Sequence, residues 1–184
     1  MSTQYEPVRK LRVTDHVDSF DCGRKPLNIF LQRHALINQK ANSAQTYVCC
    51  HRPDVVGYYS LAVGSVVHQD APRRVVKGLA RHPVPVMILA RLAVDIDHQG
   101  MGLGRALLKN ALLRTAQAAD IAGIRAILVH AKDSAARQWY ESFDFDASPT
   151  DPYHLFLLMK DLKALLEFDS SSCPPPETNT QKAD

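Results

Sequence analysis

The sequence predicts one α/β (α+β) domain, with antiparallel strands first and strand–helix–strand units after, on three observations. Short β-branched or alternating apolar runs recur along the chain. In the second half they alternate with stretches of helical apolar spacing, the pattern of mixed-sheet domains. The last stretch, "FDSSSCPPPETNTQKAD", has almost nothing apolar to bury. The expected organisation is a domain over residues 1–167 and a disordered Ser/Pro-rich tail over 168–184.

In order, "PVRKLRVT" alternates enough for a strand. In "DCGRKPLNIFLQRHALINQ", Pro26 suits a first helical position, and Leu27, Phe30, Leu31, His34 and Ala35 follow at helical spacing. "TYVCCH" and "VVGYYSLAVGSVV" read as strands joined by an Arg-Pro-Asp turn. "HQDAPRRVVKGLARHPVPV" is a polar excursion punctuated by prolines, and "MILARLAVD" is apolar enough for a strand buried on both faces. "RALLKNALLRTAQAAD" puts Leu107, Leu108, Ala111 and Leu112 on one helical face. "RAILVHA" is a strand, "DSAARQWYESF" a helix capped by Asp133 or Ser134, "HLFLLM" a strand and "KDLKALLEF" a closing helix.

Composition narrows the class. The longest apolar runs fall far short of the ~20 residues of a spanning helix, and "MSTQYEPVRK" has no signal-peptide core, so a soluble cytoplasmic protein without membrane contact is expected. Cys22, Cys49, Cys50 and Cys173 show no metal-ligand spacing, so no metal is expected, and the thiols read as buried and inert. The tail carries Asp169, Glu177 and Asp184 against Lys182, a net −2. That leaves +5 of the overall +3 on residues 1–167, which alone says little about nucleic acid.

The informative motif is "QGMGLG", where three of only eight glycines stand at alternate positions between a buried strand and a long helix. A helix N-terminus offers unpaired N–H groups and a positive dipole end, and glycines let the backbone approach a phosphate. The dinucleotide fingerprint fails, since its third glycine falls on Arg105 or Leu107, and the P-loop ending is absent. What remains is Gln-x-x-Gly-x-Gly: Gln99, Gly102 and Gly104, with Gly100 added. A loop that merely caps the helix is the competing reading.

That spacing, with "RLAVD" before it and "RAILVHA", "SAARQWYESFDF" and "HLFLLMKDL" after it, resembles the GNAT superfamily of acetyl-CoA-dependent N-acyltransferases over about residues 5–165. The resemblance implies a GNAT fold: a mixed central sheet splayed at the acetyl-CoA site, with helices on both faces. It implies that the thioester arm pairs with the backbone at Leu92 and Val94. It also implies that Gln99, Gly100, Met101, Gly102, Leu103, Gly104 and Arg105 hold the pyrophosphate. Two positions depart from the superfamily pattern. Asp133 stands where Asn is common and is expected to cap the helix instead. Asp144 replaces a glycine that adopts a left-handed conformation, which Asp tolerates at some cost.

Acetyl transfer to an amine needs a neutral amine, a donor to the oxyanion and a proton for the leaving thiolate. Tyr140 is the candidate proton donor, against the alternative of a core aromatic, a role Trp139 and Phe143 fit better. The N–H of Val94 is the candidate oxyanion donor. No obvious general base is present: Asp95 and His98 are the candidates, with His98 read as a solvated loop residue. A lysine amine has a pKa of ~10.4 and an α-amine one near ~8, so a site without a base suits an α-amine.

Five segments, "FDCGRKPLNIFLQRHA", "GYYSLA", "ARLAVDIDHQGMGLGRALL", "DIAGIRAILVHAKDSAARQWYESFDF" and "SPTDPYHLFLLMKDL", are together similar to the TacT-like tRNA-acetylating toxins of type II toxin–antitoxin pairs. That resemblance implies acetylation of the α-amine of aminoacyl-tRNA, inhibition of translation and a ribbon-helix-helix antitoxin as partner. A tRNA needs cations along its phosphates. Arg73, Arg74, Lys77 and Arg81, with His82 beside them, are one candidate set, Arg24, Lys25 and Arg33 a second group, and Arg91 either joins that surface or pairs internally. A homodimer would widen the basic surface. The alternatives are an N-acetyltransferase of a small-molecule amine or protein, and a binding module that keeps the fold without the chemistry.

Overall fold

The computed structural model describes residues 5–171. The strands are β1 (Arg9–Lys10), β2 (Gln45–His51), β3 (Asp54–Val66), β4 (Val84–Val94), β5 (Ala126–His130), β6 (Asp146–Ala147) and β7 (His154–Leu158). The helices are α1 (Lys25–Ile29), α2 (Ala35–Lys40), α3 (Arg73–Val76), α4 (Leu103–Ala119), α5 (Ser134–Glu141) and α6 (Met159–Ser171). The strands form one sheet in the order β1-β2-β3-β4-β5-β7-β6. All neighbours are antiparallel except β4 and β5.

Helices cover both faces. On one, Leu103, Leu107, Leu108, Ala111 and Leu112 of α4 and Leu162 of α6 pack on Met87, Leu89, Ile127, Val129, Leu155 and Leu157. Gly57 on β3 makes room for α4, because a Cβ there would stand 2.9 Å from Leu107 Cδ1. On the other face, Phe30, Leu31 and Ala35 pack on Val48, Val55 and Tyr58, while Val75 of α3 packs on Val84, Val86, Ala126, Leu128 and Phe156. Strand alternation sends Cys49 into the first core and Cys50 into the second. Burial raises both thiol pKa values, that of Cys49 to about 11.

Four local expectations are corrected. The first strand shrinks to two residues, because Asp15 folds the chain back, accepting from the Arg12 N–H at 2.7 Å and from the Arg9 guanidinium. The first helix contains a π-helical turn over Phe30–His34, which shifts the phase and leaves His34 exposed rather than on the apolar face. Only the first part of β4 is closely packed on both sides; Arg91, Leu92 and Val94 are half-buried. The closing helix runs through Ser171, over the start of the expected tail, and the rest of that tail lies outside the described residues.

Candidate active site

The sheet opens at its centre. β4 and β5 pair only from Val86↔Ala126 to Leu89↔Val129, and Ala90 is bulged out of the β3 register at Ser60/Leu61. Beyond Leu89, β4 keeps β3 as a partner and loses β5. The Asp95 N–H donates to Val56 O on the β3 side at 2.9 Å. Strand alternation therefore turns the N–H groups of Leu92 and Val94 into the opening, available to an extended polar chain laid along the strand.

The loop after β4 is built to be held open. Asp95 caps a short 3₁₀ turn, Ile96–His98, and also accepts from the Asp21 N–H at 2.9 Å. The Gln99 side chain ties the loop down by donating to Val94 O at 2.9 Å and to Cys22 O at 3.2 Å. Gly100 and Gly102 have φ of +75° and +83°, which L side chains rarely adopt. Gly102 is the N-cap of α4, with no side-chain oxygen serving the helix. From Gly100 to Arg105 no backbone N–H donates to another group among the described residues. Six unengaged donors at the positive end of a 17-residue helix form an anion nest. Nothing stands within 4 Å of a Cβ built on Gly100 or Gly102, so it is conformation and not crowding that requires glycine there. A pyrophosphate fits this donor set.

The sequence-predicted loop residues divide by role. Leu103 is buried in the core, so only its N–H faces the nest. Met101 is exposed, with Tyr5 Oη at 3.6 Å from its sulfur. The Arg105 guanidinium lies over the Phe143 ring at 5.3 Å. Tyr140, on α5, has its ring against Trp139 at 4.9 Å and Phe145 at 5.5 Å. Burial pushes its phenol well above the usual tyrosine pKa, so it stays protonated at neutral pH. Its hydroxyl makes no hydrogen bond to the described residues and is not fully enclosed, since no fully buried side-chain oxygen among them lacks a partner. Trp139 meets Phe143 at 4.9 Å, the pairing their i, i+4 spacing predicts.

Both expected bases already have partners. Asp95 accepts from the loop's N–H groups, and His98 is half-buried, its Nδ1 3.1 Å from Tyr5 Oη and its ring tilted 53° to that of His51, with centroids 5.5 Å apart. Asp133 caps α5 through the Ala136 N–H at 2.8 Å, as expected, and Asp144 takes the left-handed conformation at φ 64°. Asp133 also pairs with Arg24 at 2.6 Å, a contact that no residue spacing signals, joining the start of α1 to the start of α5.

The chain's relatives fit this geometry. The model of the acetyltransferase (GNAT) domain matches residues 42–147. The chain belongs to the GNAT acetyltransferase family. A tRNA-acetylating toxin of Mycobacterium tuberculosis is 49% identical to this acetyltransferase over 162 residues, covering 88% of its chain and 97% of the relative. Among solved structures, AtaT complexed with acetyl-methionyl-tRNAfMet superposes with a TM-score of 0.82 at 25% identity, covering 89% of this chain and 99% of that one. A mutant AtaT toxin bound to the C-terminus of its antitoxin AtaR and to acetyl-CoA gives 0.74 at 26% identity, covering 87% and 97%.

The basic residues of the acetyltransferase do not gather at the loop. Arg73, Arg74, Lys77 and Arg81 are exposed around α3, beside the start of β4, while the glycines follow its end. Eleven residues of strand separate the two, roughly 33 Å at ~3.3 Å per residue. Arg74 is committed to Asp161 at 2.6 Å and Asp146 at 3.2 Å. Arg73, Lys77 and Arg81 make no ion pair among the described residues. Arg91 lies over the Phe30 ring at 4.2 Å, on the α3 side of the sheet. Among the described residues no helix is long and apolar enough to cross a membrane.

Proposed function

We propose that this acetyltransferase moves the acetyl group of acetyl-CoA onto the α-amine of the aminoacyl group on charged tRNA. It thereby stops translation in the cytoplasm, and a ribbon-helix-helix antitoxin neutralises it. The observation that carries the reading is near-full-length similarity to a tRNA-acetylating toxin at 49% identity. The nest, the open strand edge and a protonated phenol support the chemistry.

Acetyl-CoA supplies the activated acetyl thioester. The N–H groups from Gly100 to Arg105 would bind its pyrophosphate, with Gln99 holding the loop in place. The N–H groups of Leu92 and Val94 would bind along its arm, the Val94 donor serving the oxyanion. Tyr140, held neutral by burial, would donate its proton to the leaving thiolate.

The test is to incubate mixed charged tRNA with acetyl-CoA and read the aminoacyl-adenosine ends by mass spectrometry. Wild type should add one acetyl group, and Tyr140→Phe should do so about 100-fold more slowly. Acetylation of polyamines or peptides with every charged tRNA untouched would overturn the substrate. Expression of wild type, and not of Tyr140→Phe, should arrest bacterial growth.

A further inference from the structure

We propose that His130 is the general base of the reaction, taking the proton from the acceptor's α-ammonium group at the point where β4 and β5 separate. The proposal rests on the function above, and it supplies the group that sequence reading did not find.

Three observations place it. The last rung between β4 and β5 is Leu89↔Val129, and His130 is the next residue of β5. Ile127 and Val129 point into the α4 core, while Ala126 and Leu128 point into the α3 core, so alternation puts His130 on the α3 face. The anion nest opens from the N-terminus of α4, which covers the opposite face. A donor held there and an acceptor arriving from the α3 face would meet in the gap, with His130 at its rim.

The ring itself is held. It stacks on His154 of β7, with centroids 4.1 Å apart and planes 25° apart. The His154 Nε2 lies 3.5 Å from an Asp151 carboxylate oxygen, which anchors the second ring. Neither nitrogen of His130 bonds to a described residue, and the side chain is exposed. The pair is positioned without using up the atoms that a substrate would need.

Its electrostatics suit a base. Partial burial, and then the adjacent His154, lower the pKa of His130, while Asp151 opposes this. Elsewhere at the gap, Arg91 on β4 lies over Phe30, and Asp133 before α5 is paired with Arg24. The imidazole is therefore neutral at pH 7.

The step balances. The ammonium gives one proton to a ring nitrogen of His130. The free amine then forms the C–N bond as the C–S bond breaks. Tyr140 protonates the thiolate and recovers a proton from the new amide nitrogen, and His130 returns its own to solvent. The net release is one proton per turnover.

The experiment is the rate of acetyl transfer at saturating acetyl-CoA for wild type, His130→Gln and His130→Ala across a pH series. Near pH 6.5, where an α-amine of pKa about 8 is mostly protonated, the variants should be about 100-fold slower. Near pH 9.5, where the amine is already free, the deficit should shrink to within about threefold. Acetyl-CoA affinity by calorimetry should not change. A deficit equal at every pH, or no deficit, overturns the proposal. Wild type that acetylates no charged tRNA but does acetylate a polyamine overturns the tRNA reading alone, and the same pH series on that amine still decides the role of His130.

Discussion

Gly104 differs in kind from the two glycines before it. Gly100 and Gly102 need their positive φ, so Gly102→Ala should cost about 1–2 kcal/mol of stability, measurable by denaturant melts. Gly104 is helical, and a Cβ there would meet Trp139 and Val94 at 3.8 Å, ordinary contact. Neither conformation nor crowding within the protein requires glycine at that position. The remaining reason is the space above Val94 that an incoming ligand would use. Gly104→Ala should therefore leave Tm unchanged or slightly raised, since Ala is the better helix former. It should weaken acetyl-CoA about tenfold or more by calorimetry, about 1.4 kcal/mol. A fall in Tm with unchanged affinity would make Gly104 a packing residue.

At the scale of elements, Gly57 lets the Leu107 and Leu103 side chains of α4 lie close on β3. Gly57→Ala should push Leu107 and Leu103 outward and cost about 1–3 kcal/mol, with acetyl-CoA affinity falling as well, because the nest moves with the helix. The start of α5 is held by charge. The Ala136 N–H and the Arg24 guanidinium lower the pKa of Asp133 below the usual 3.8. A depressed carboxylate stabilises the fold above its unfolded pKa and loses that contribution as pH falls through the folded value. Asp133→Asn, which can still cap, should thus melt lower than wild type at neutral pH, and the two curves should converge below about pH 4. These elements also show what was legible in the sequence. The leucine spacing of α4 and the Asp133 cap are local signals, and both appear in the structure as read. The truncated β1 depends on Asp15 capturing Arg9. The π-turn at Phe30–His34 carries no signal in residue spacing. The Arg24–Asp133 pair joins residues 109 positions apart. The glycine loop was readable because its glycines lie within five residues; the His130–His154 stack was not, because only the β5–β7 register brings the two rings together.

Over the whole molecule, the anion nest and the α3 cations stand at opposite ends of β4, so a ligand that engages both must be tens of ångströms long. A charged tRNA is such a ligand; a metabolite is not. Arg74 is a poor probe of this surface, because its reversal would set a third carboxylate beside Asp146 and Asp161 and destabilise the fold. Arg73, Lys77 and Arg81 are the better set, exposed and without ion pairs among the described residues. Their combined replacement by Ala should leave Tm and acetyl-CoA affinity near wild type while weakening tRNA binding. Each lost phosphate contact removes roughly 0.7–0.9 from the slope of log affinity against log salt, so the triple variant should flatten that slope by about two units. An unchanged slope would mean that tRNA bypasses α3. The contacts would then fall to the second group, Arg24, Lys25 and Arg33, where Arg24 must first release Asp133.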